Sequence, residues 1–176
     1  IGASGQIGSD LTLELRNRFG NDNVIASDIK NAADDVMQTG PFEDFTGFGE
    51  TDWTLLVQAV DHWHPEAAKL LDPFRFIPNW RIDDFMVSFS TPGGGVGPHL
   101  DQYDVFIIQG EGKRHWRVGM PDSSLEQLCP HPRLLQVSPF NACIDVITEP
   151  GDILYIPPGC PHDGISIENS LNYSVG

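Results

Sequence analysis

The chain has 176 residues, with 10 Lys and Arg against 25 Asp and Glu, a formal net charge of −15. Hydrophobic residues make up 40%, which excludes a wholly disordered polymer, and no apolar run approaches the ~18 residues of a membrane span. The acidic balance argues against direct nucleic-acid binding, since phosphate backbones select Lys/Arg-rich surfaces, and it suits a basic partner.

Residues 1–38 read as a short α/β segment. Leu11, Leu15 and Phe19 recur at helical spacing over Ser9–Phe19, Gly20 and the Asn/Asp cluster after it stop that helix, and Val24–Ser27 forms a short apolar strand. A second helix is predicted over Asp52–Leu71. Trp53, Leu56, Val57, Val60, Trp63 and Ala67 form its stripe, and Pro73 ends it. From Ile82 the pattern changes to short strands, at Phe85–Ser90, Val105–Gln109, His115–Val118, Ile144–Ile147, Ile153–Ile156 and Leu171–Val175. Gly/Pro turns separate several of them, and no helices intervene, so residues 39–176 are expected to form a mainly β domain, an antiparallel sandwich or barrel.

Cys129, Cys143 and Cys160 are an odd set without a CxxC, so neither a disulfide framework nor a zinc ribbon is expected. With no signal peptide, a reducing cytoplasm is the expected location. The start at Ile1 and the stop at Gly176 are the pattern expected of a fragment.

Two constellations carry chemistry. Gly2, Gly5 and Gly8 open the first helix, and Asp28 follows at a strand end. Glycines there let the backbone approach a pyrophosphate, and the acid takes a ribose hydroxyl. The stretch resembles the start of an extended short-chain dehydrogenase/epimerase of the threonine-dehydrogenase-like branch, which implies NAD. However, the preceding strand is reduced to Ile1 and no second βαβ half follows, so the competing reading is an ordinary helix and strand.

The second constellation is His99-Leu100-Asp101 with the distant His162. On an extended strand residues i and i+2 project to one face, so an imidazole and a carboxylate point together. Two His and one Asp are the set that binds Fe(II) on one face of an octahedron. His62, His64, His115 and His131 are expected to serve ordinary structural roles, and Cys160 to be a small buried residue.

Longer stretches carry a family likeness. Trp80–Asp84, Pro92–Phe106, Pro150–Gly159 and Asn172–Gly176 are similar to the catalytic domain of the bacterial cupin-type ribosomal oxygenases, which are JmjC-related. The resemblance implies a double-stranded β-helix (a cupin/JmjC jelly roll) and an Fe(II)- and 2-oxoglutarate-dependent enzyme that hydroxylates an arginine of a large-subunit ribosomal protein. It implies iron ligands at His99, Asp101 and His162. It also puts Arg114 on the distal 2-oxoglutarate carboxylate, where a guanidinium gives a planar clamp, with the Ser88 hydroxyl on the same cosubstrate. Tyr103 and Asp84 are candidate substrate contacts. The family's helical dimerisation region and winged-helix-like domain have no counterpart in the sequence, and an exposed barrel edge where those parts would pack is expected to favour self-association as a homodimer. Two alternatives stand beside this reading: a non-catalytic metal-cupin binding module and an NAD-dependent epimerase/dehydrogenase fragment.

Overall fold

The computed structural model describes residues 27–31, 36–39, 45–131 and 134–176. Thirteen described strands form two antiparallel sheets: β1 Ser27–Asn31, β2 Val36–Thr39, β3 Trp53–Val57, β4 Phe85–Ser90, β5 His99–Leu100, β6 Val105–Glu111, β7 Arg114–Gly119, β8 Gln127–His131, β9 Leu134–Val137, β10 Ala142–Thr148, β11 Ile153–Ile156, β12 His162–Ser166 and β13 Ser170–Val175. One sheet has the order β11-β6-β13-β4-β3-β1-β2 and the other β10-β7-β12-β5-β9-β8. From β4 to β7, and again from β10 to β13, successive strands alternate between the two sheets. That winding is the expected double-stranded β-helix.

The seven-stranded sheet is apolar on its outer face. Phe85 and Val87 of β4, Phe106 and Ile108 of β6, and Tyr173 and Val175 of β13 pack under Val60, Ala67, Leu71 and Phe74 from the segment between β3 and β4. Its inner face carries the alternate residues Ser88, Ser90, Gln109, Ser170 and Asn172, all buried. A second apolar cluster, Val105, Ile107, Trp116, Val118, Ile156 and Cys160, joins the two sheets. Each fully buried aliphatic or aromatic side chain contributes roughly 1.5–3 kcal/mol. The inner face therefore gives up stabilisation that the outer face supplies.

The predicted helix over Asp52–Leu71 is corrected. Trp53–Val57 is strand β3, paired with β4 and β1. Only Pro65–Lys69 is α-helical (α1), with Pro65 in its first turn and His64 Nδ1 accepting from Ala67 N at its N-terminus. Ala59 adopts a left-handed conformation (φ 52°) between the two, a geometry that no helix tolerates. The strands predicted at Phe85–Ser90 and Ile153–Ile156 match in full, and His99–Leu100 is extended as the His-x-Asp reading requires, whereas β2, β3, β8, β9 and β12 were not expected.

The glycine motif Gly2–Gly8, the helix Ser9–Phe19 and most of the strand Val24–Ser27 lie outside the described residues. Asp28 lies in β1, flanked by antiparallel partners on both sides. A dinucleotide cradle needs a parallel βαβ unit, so the described part lends the dehydrogenase-like reading no support. Among the described residues no helix is long and apolar enough to cross a membrane.

Candidate metal and cosubstrate site

A cavity of about 410 Å³ lies between the sheets. His99 at the start of β5 and His162 at the start of β12 pair directly across the six-stranded sheet. Their rings lie 4.1 Å apart, centre to centre. Asp101, just past β5, shares their face as the His-x-Asp spacing requires. One ligand atom from each of the three falls within 4.8 Å of the others, so the structure brings the predicted triad together.

The imidazoles are oriented by the backbone. His99 Nδ1 lies 2.9 Å from Gly97 O, and His162 Nδ1 lies 3.0 Å from Cys160 O. A carbonyl only accepts, so both Nδ1 atoms are N–H donors and both Nε2 atoms expose lone pairs. His162 Nε2 then faces Asp101 Oδ2 at 3.3 Å. Two lone pairs at that separation call for a shared cation. Burial, then the neighbouring His162, pushes the His99 imidazole down to about 4, which keeps it in the neutral form a metal binds. Burial opposes ionisation of Asp101, but the neighbouring His162 and His99 imidazoles outweigh it and hold its carboxyl below the usual range.

Arg114 opens β7 and lines the same cavity, only 4% exposed. Nη1 donates to Ser88 Oγ (3.2 Å), and Nη2 donates to Ser90 Oγ (2.5 Å) and Ser170 Oγ (3.0 Å). Among the described residues its Nε has no hydrogen-bond partner. Among the described residues no carboxylate pairs with it, and burial alone pulls its pKa down to about 9. A buried cation held by hydroxyls and an aromatic ring rather than by a carboxylate fits an incoming anion. The donor sets at both ends of the cavity thus suit a divalent metal and a dicarboxylate.

The remaining candidates lie at the opening. Tyr103 is half exposed and its hydroxyl is pushed up to about 12, by burial first and then by the Asp101, Asp84 and Asp83 carboxylates. Asp84 and Asp83 line the cavity as well. One oxygen of Asp84 is committed, accepting from Ala59 N at 2.7 Å, and burial raises its pKa above the usual range. Asp84 is thus partly a structural clamp on the strained Ala59. Sequence reasoning missed Ser90, Ser170, Trp116 and Asn172. The available signal was the alternation of Ser88 and Ser90 with Val87 and Phe89, and of Ser170 and Asn172 with Leu171 and Tyr173. It marks a sheet whose polar face is the enclosed one.

Gly164 shows how tightly the site is built. A Cβ there would lie 2.6 Å from the Trp116 ring, so Gly164→Ala is expected to cost about 1–3 kcal/mol through overpacking. Thermal unfolding measures that loss, and an unchanged melting temperature would show that the ring is free to move.

The comparisons with known proteins agree with this geometry. The JmjC domain family matches residues 69–176. The chain is 67% identical over 137 residues to an Escherichia coli protein named ribosomal protein uL16 3-hydroxylase, which covers 78% of the chain and 36% of that protein. It is 38% identical over 161 residues to a probable ribosomal oxygenase of Haemophilus influenzae, which covers 89% of the chain and 40% of that protein. The chain therefore spans well under half the length of these relatives. An X-ray structure of E. coli ycfD superposes with a TM-score of 0.81 at 61% identity, covering 86% of the chain and 41% of that structure. A YcfD complex with cobalt and 2-oxoglutarate gives 0.75 at 57% identity, covering 93% and 42%.

Proposed function

The chain belongs to the JmjC domain family, and we propose that it is an Fe(II)- and 2-oxoglutarate-dependent oxygenase that hydroxylates an arginine side chain of a ribosomal protein. The observation that carries this reading is a buried guanidinium with no carboxylate partner among the described residues, in the same cavity as a His-Asp-His cluster. The names of the relatives, a ribosomal-protein hydroxylase and a probable ribosomal oxygenase, support the substrate class.

When bound, Fe(II) and 2-oxoglutarate would supply the oxidising chemistry together with dioxygen, one oxygen atom of which enters the substrate C–H bond while the other enters the succinate formed, with loss of carbon dioxide, from the oxo acid. The chain does the rest. His99, Asp101 and His162 would hold the metal, each offering one ligand atom. Arg114, fixed by Ser88, Ser90 and Ser170, grips the far carboxylate of the cosubstrate. Val96, Val105, Ile107 and Leu134 line the cavity and limit water. Tyr103, Asp83 and Asp84 give the opening an acidic, aromatic rim suited to a guanidinium. The reading places the enzyme in the cytoplasm, where ribosomal proteins are made.

The test is succinate release with Fe(II) and 2-oxoglutarate, with and without an arginine-containing basic peptide from a large-subunit ribosomal protein. Peptide-stimulated release is expected, with one oxygen atom added to the peptide by mass spectrometry and none added when its arginine is replaced by lysine. Release without any oxygen gain in the peptide would overturn the substrate assignment.

A further inference from the structure

The middle of the cavity holds two buried polar atoms that the proposed chemistry leaves unused. Trp116 on β7 is 5% exposed and Asn172 on β13 is 1% exposed. Both line the cavity, and neither Trp116 Nε1 nor Asn172 Oδ1 has a hydrogen-bond partner among the described residues.

Strand register fixes their depth. β12 sets His162, Gly164 and Ser166 opposite Val118, Trp116 and Arg114 of β7, so Trp116 stands one inward-facing position from Arg114 toward the triad. On β13, Ser170 accepts from Arg114, and Asn172 is the next residue on that face in the direction of Gly176, which abuts Tyr103 at the opening. Each such step is about 7 Å. The Trp116 ring centre lies 5.8 Å from Arg114 Cζ and 6.3 Å from the His162 ring centre. The Trp116 ring therefore flanks the middle of any ligand stretched from Arg114 to the triad, and Asn172, paired with Ser88 of β4, faces the same cavity from the opposite sheet on the side of Arg114 nearer the opening.

Their polarities are fixed. An indole N–H can only donate. Gln109 Nε2 donates to Glu111 O and Gly112 O, so Gln109 Oε1 is left to accept from Thr148 Oγ1 and from Asn172 Nδ2, each at 2.8 Å. The Asn172 amide cannot turn over without breaking that network, and its Oδ1 is presented as an acceptor. An unsubstituted dicarboxylate passes this level with methylene carbons, which satisfy neither atom.

We propose that Trp116 Nε1 and Asn172 Oδ1 form a hydroxyl subsite at mid-chain, which gives one hydrogen bond and takes one. Water fills it beside an unsubstituted dicarboxylate, and a ligand hydroxyl fills it when the acid carries one on its central carbon. Such hydroxy acids would then compete with 2-oxoglutarate. The inference rests on the reading of Arg114 as the carboxylate anchor.

The experiment is calorimetric titration of the Co(II)-loaded chain with glutarate and with 3-hydroxyglutarate, which differ only in that central hydroxyl. The hydroxy acid is expected to bind roughly tenfold more tightly, the effect of one well-made net hydrogen bond. Trp116→Phe, which keeps a ring and removes the N–H, and Asn172→Leu should each bring the two acids to within about twofold. Should Asn172→Leu fail to fold, Trp116→Phe decides alone. Equal binding by the wild type, or a preference that survives Trp116→Phe, overturns the subsite and leaves the Arg114 reading standing. Failure of either acid to bind overturns both.

Discussion

Arg114→Met is expected to raise the melting temperature of the ligand-free protein while nearly abolishing its affinity for 2-oxoglutarate. The guanidinium is buried, its partners are three serine hydroxyls, and its Nε is unsatisfied. Replacing buried ionic groups by apolar residues of similar volume is often stabilising, by about 1–4 kcal/mol. The hydroxyls left behind are mostly provided for: Ser90 retains Thr54, and Ser170 retains Ser166. Only Ser88 loses its partner. A net gain of ~1–2 kcal/mol corresponds to a rise of roughly 2–8 °C for a domain of this size. Loss of one partner from a buried, hydrogen-bonded charge pair costs the complex about 3 kcal/mol, or roughly 150-fold in dissociation constant. Calorimetry on the Co(II)-loaded protein reads the affinity and differential scanning the stability. A variant that melts lower, or that still binds 2-oxoglutarate like the wild type, contradicts the assignment of Arg114 as an unpaired anion receptor.

His99→Ala is expected to remove metal binding and, with it, turnover. Losses in the outer hydrogen-bond shell of metal sites already cost about 10–100-fold in affinity, and removal of a ligand should exceed that range. Cobalt(II) titration followed by its visible absorption measures the loss. The same substitution changes the response to acid. The folded protein holds His99 at about 4 rather than the ordinary 6.5, so between those values the unfolded chain binds a proton that the folded chain refuses. Stability of the metal-free wild type is therefore full above pH 6.5 and falls as the pH drops toward 4, by on the order of 3 kcal/mol from this group. His99→Ala should show a flatter stability curve across that window. Equal slopes in the two proteins would mean that His99 is not held neutral by the fold.

Parts of this architecture were legible in the chain and parts were not, for identifiable reasons. Phe85–Ser90 and Ile153–Ile156 alternate or run apolar between turn residues, and they fold as written. The triad was legible because His-x-Asp needs only an extended backbone to align. Trp53–Val57 misled because its apolar residues also fit a helical stripe continuing to Ala67, and only pairing with β4 and β1 decides between the two periods. β12 was hidden because Pro161, Asp163 and Gly164 are poor strand formers. Its place is set by Gly164 meeting the Trp116 ring and by Arg117 gripping Asp163 at 2.7 Å. The serine collar of Arg114 was invisible as a set because Ser170 joins Ser88 and Ser90 only through the β13–β4 pairing.

That same pairing dictates when the protein becomes competent during its own synthesis. β4 waits for β13, and His99 waits for His162, each across a long stretch of the chain. Chains dominated by such distant pairings fold on the millisecond-to-second scale, because loop closure precedes any reward from contacts. A ribosome-bound nascent chain therefore cannot assemble the His-Asp-His cluster before His162, or the serine collar of Arg114 before Ser170, has cleared the exit tunnel. Until then the polar strand faces destined for the interior remain open to water, and the apolar ones open to chaperones.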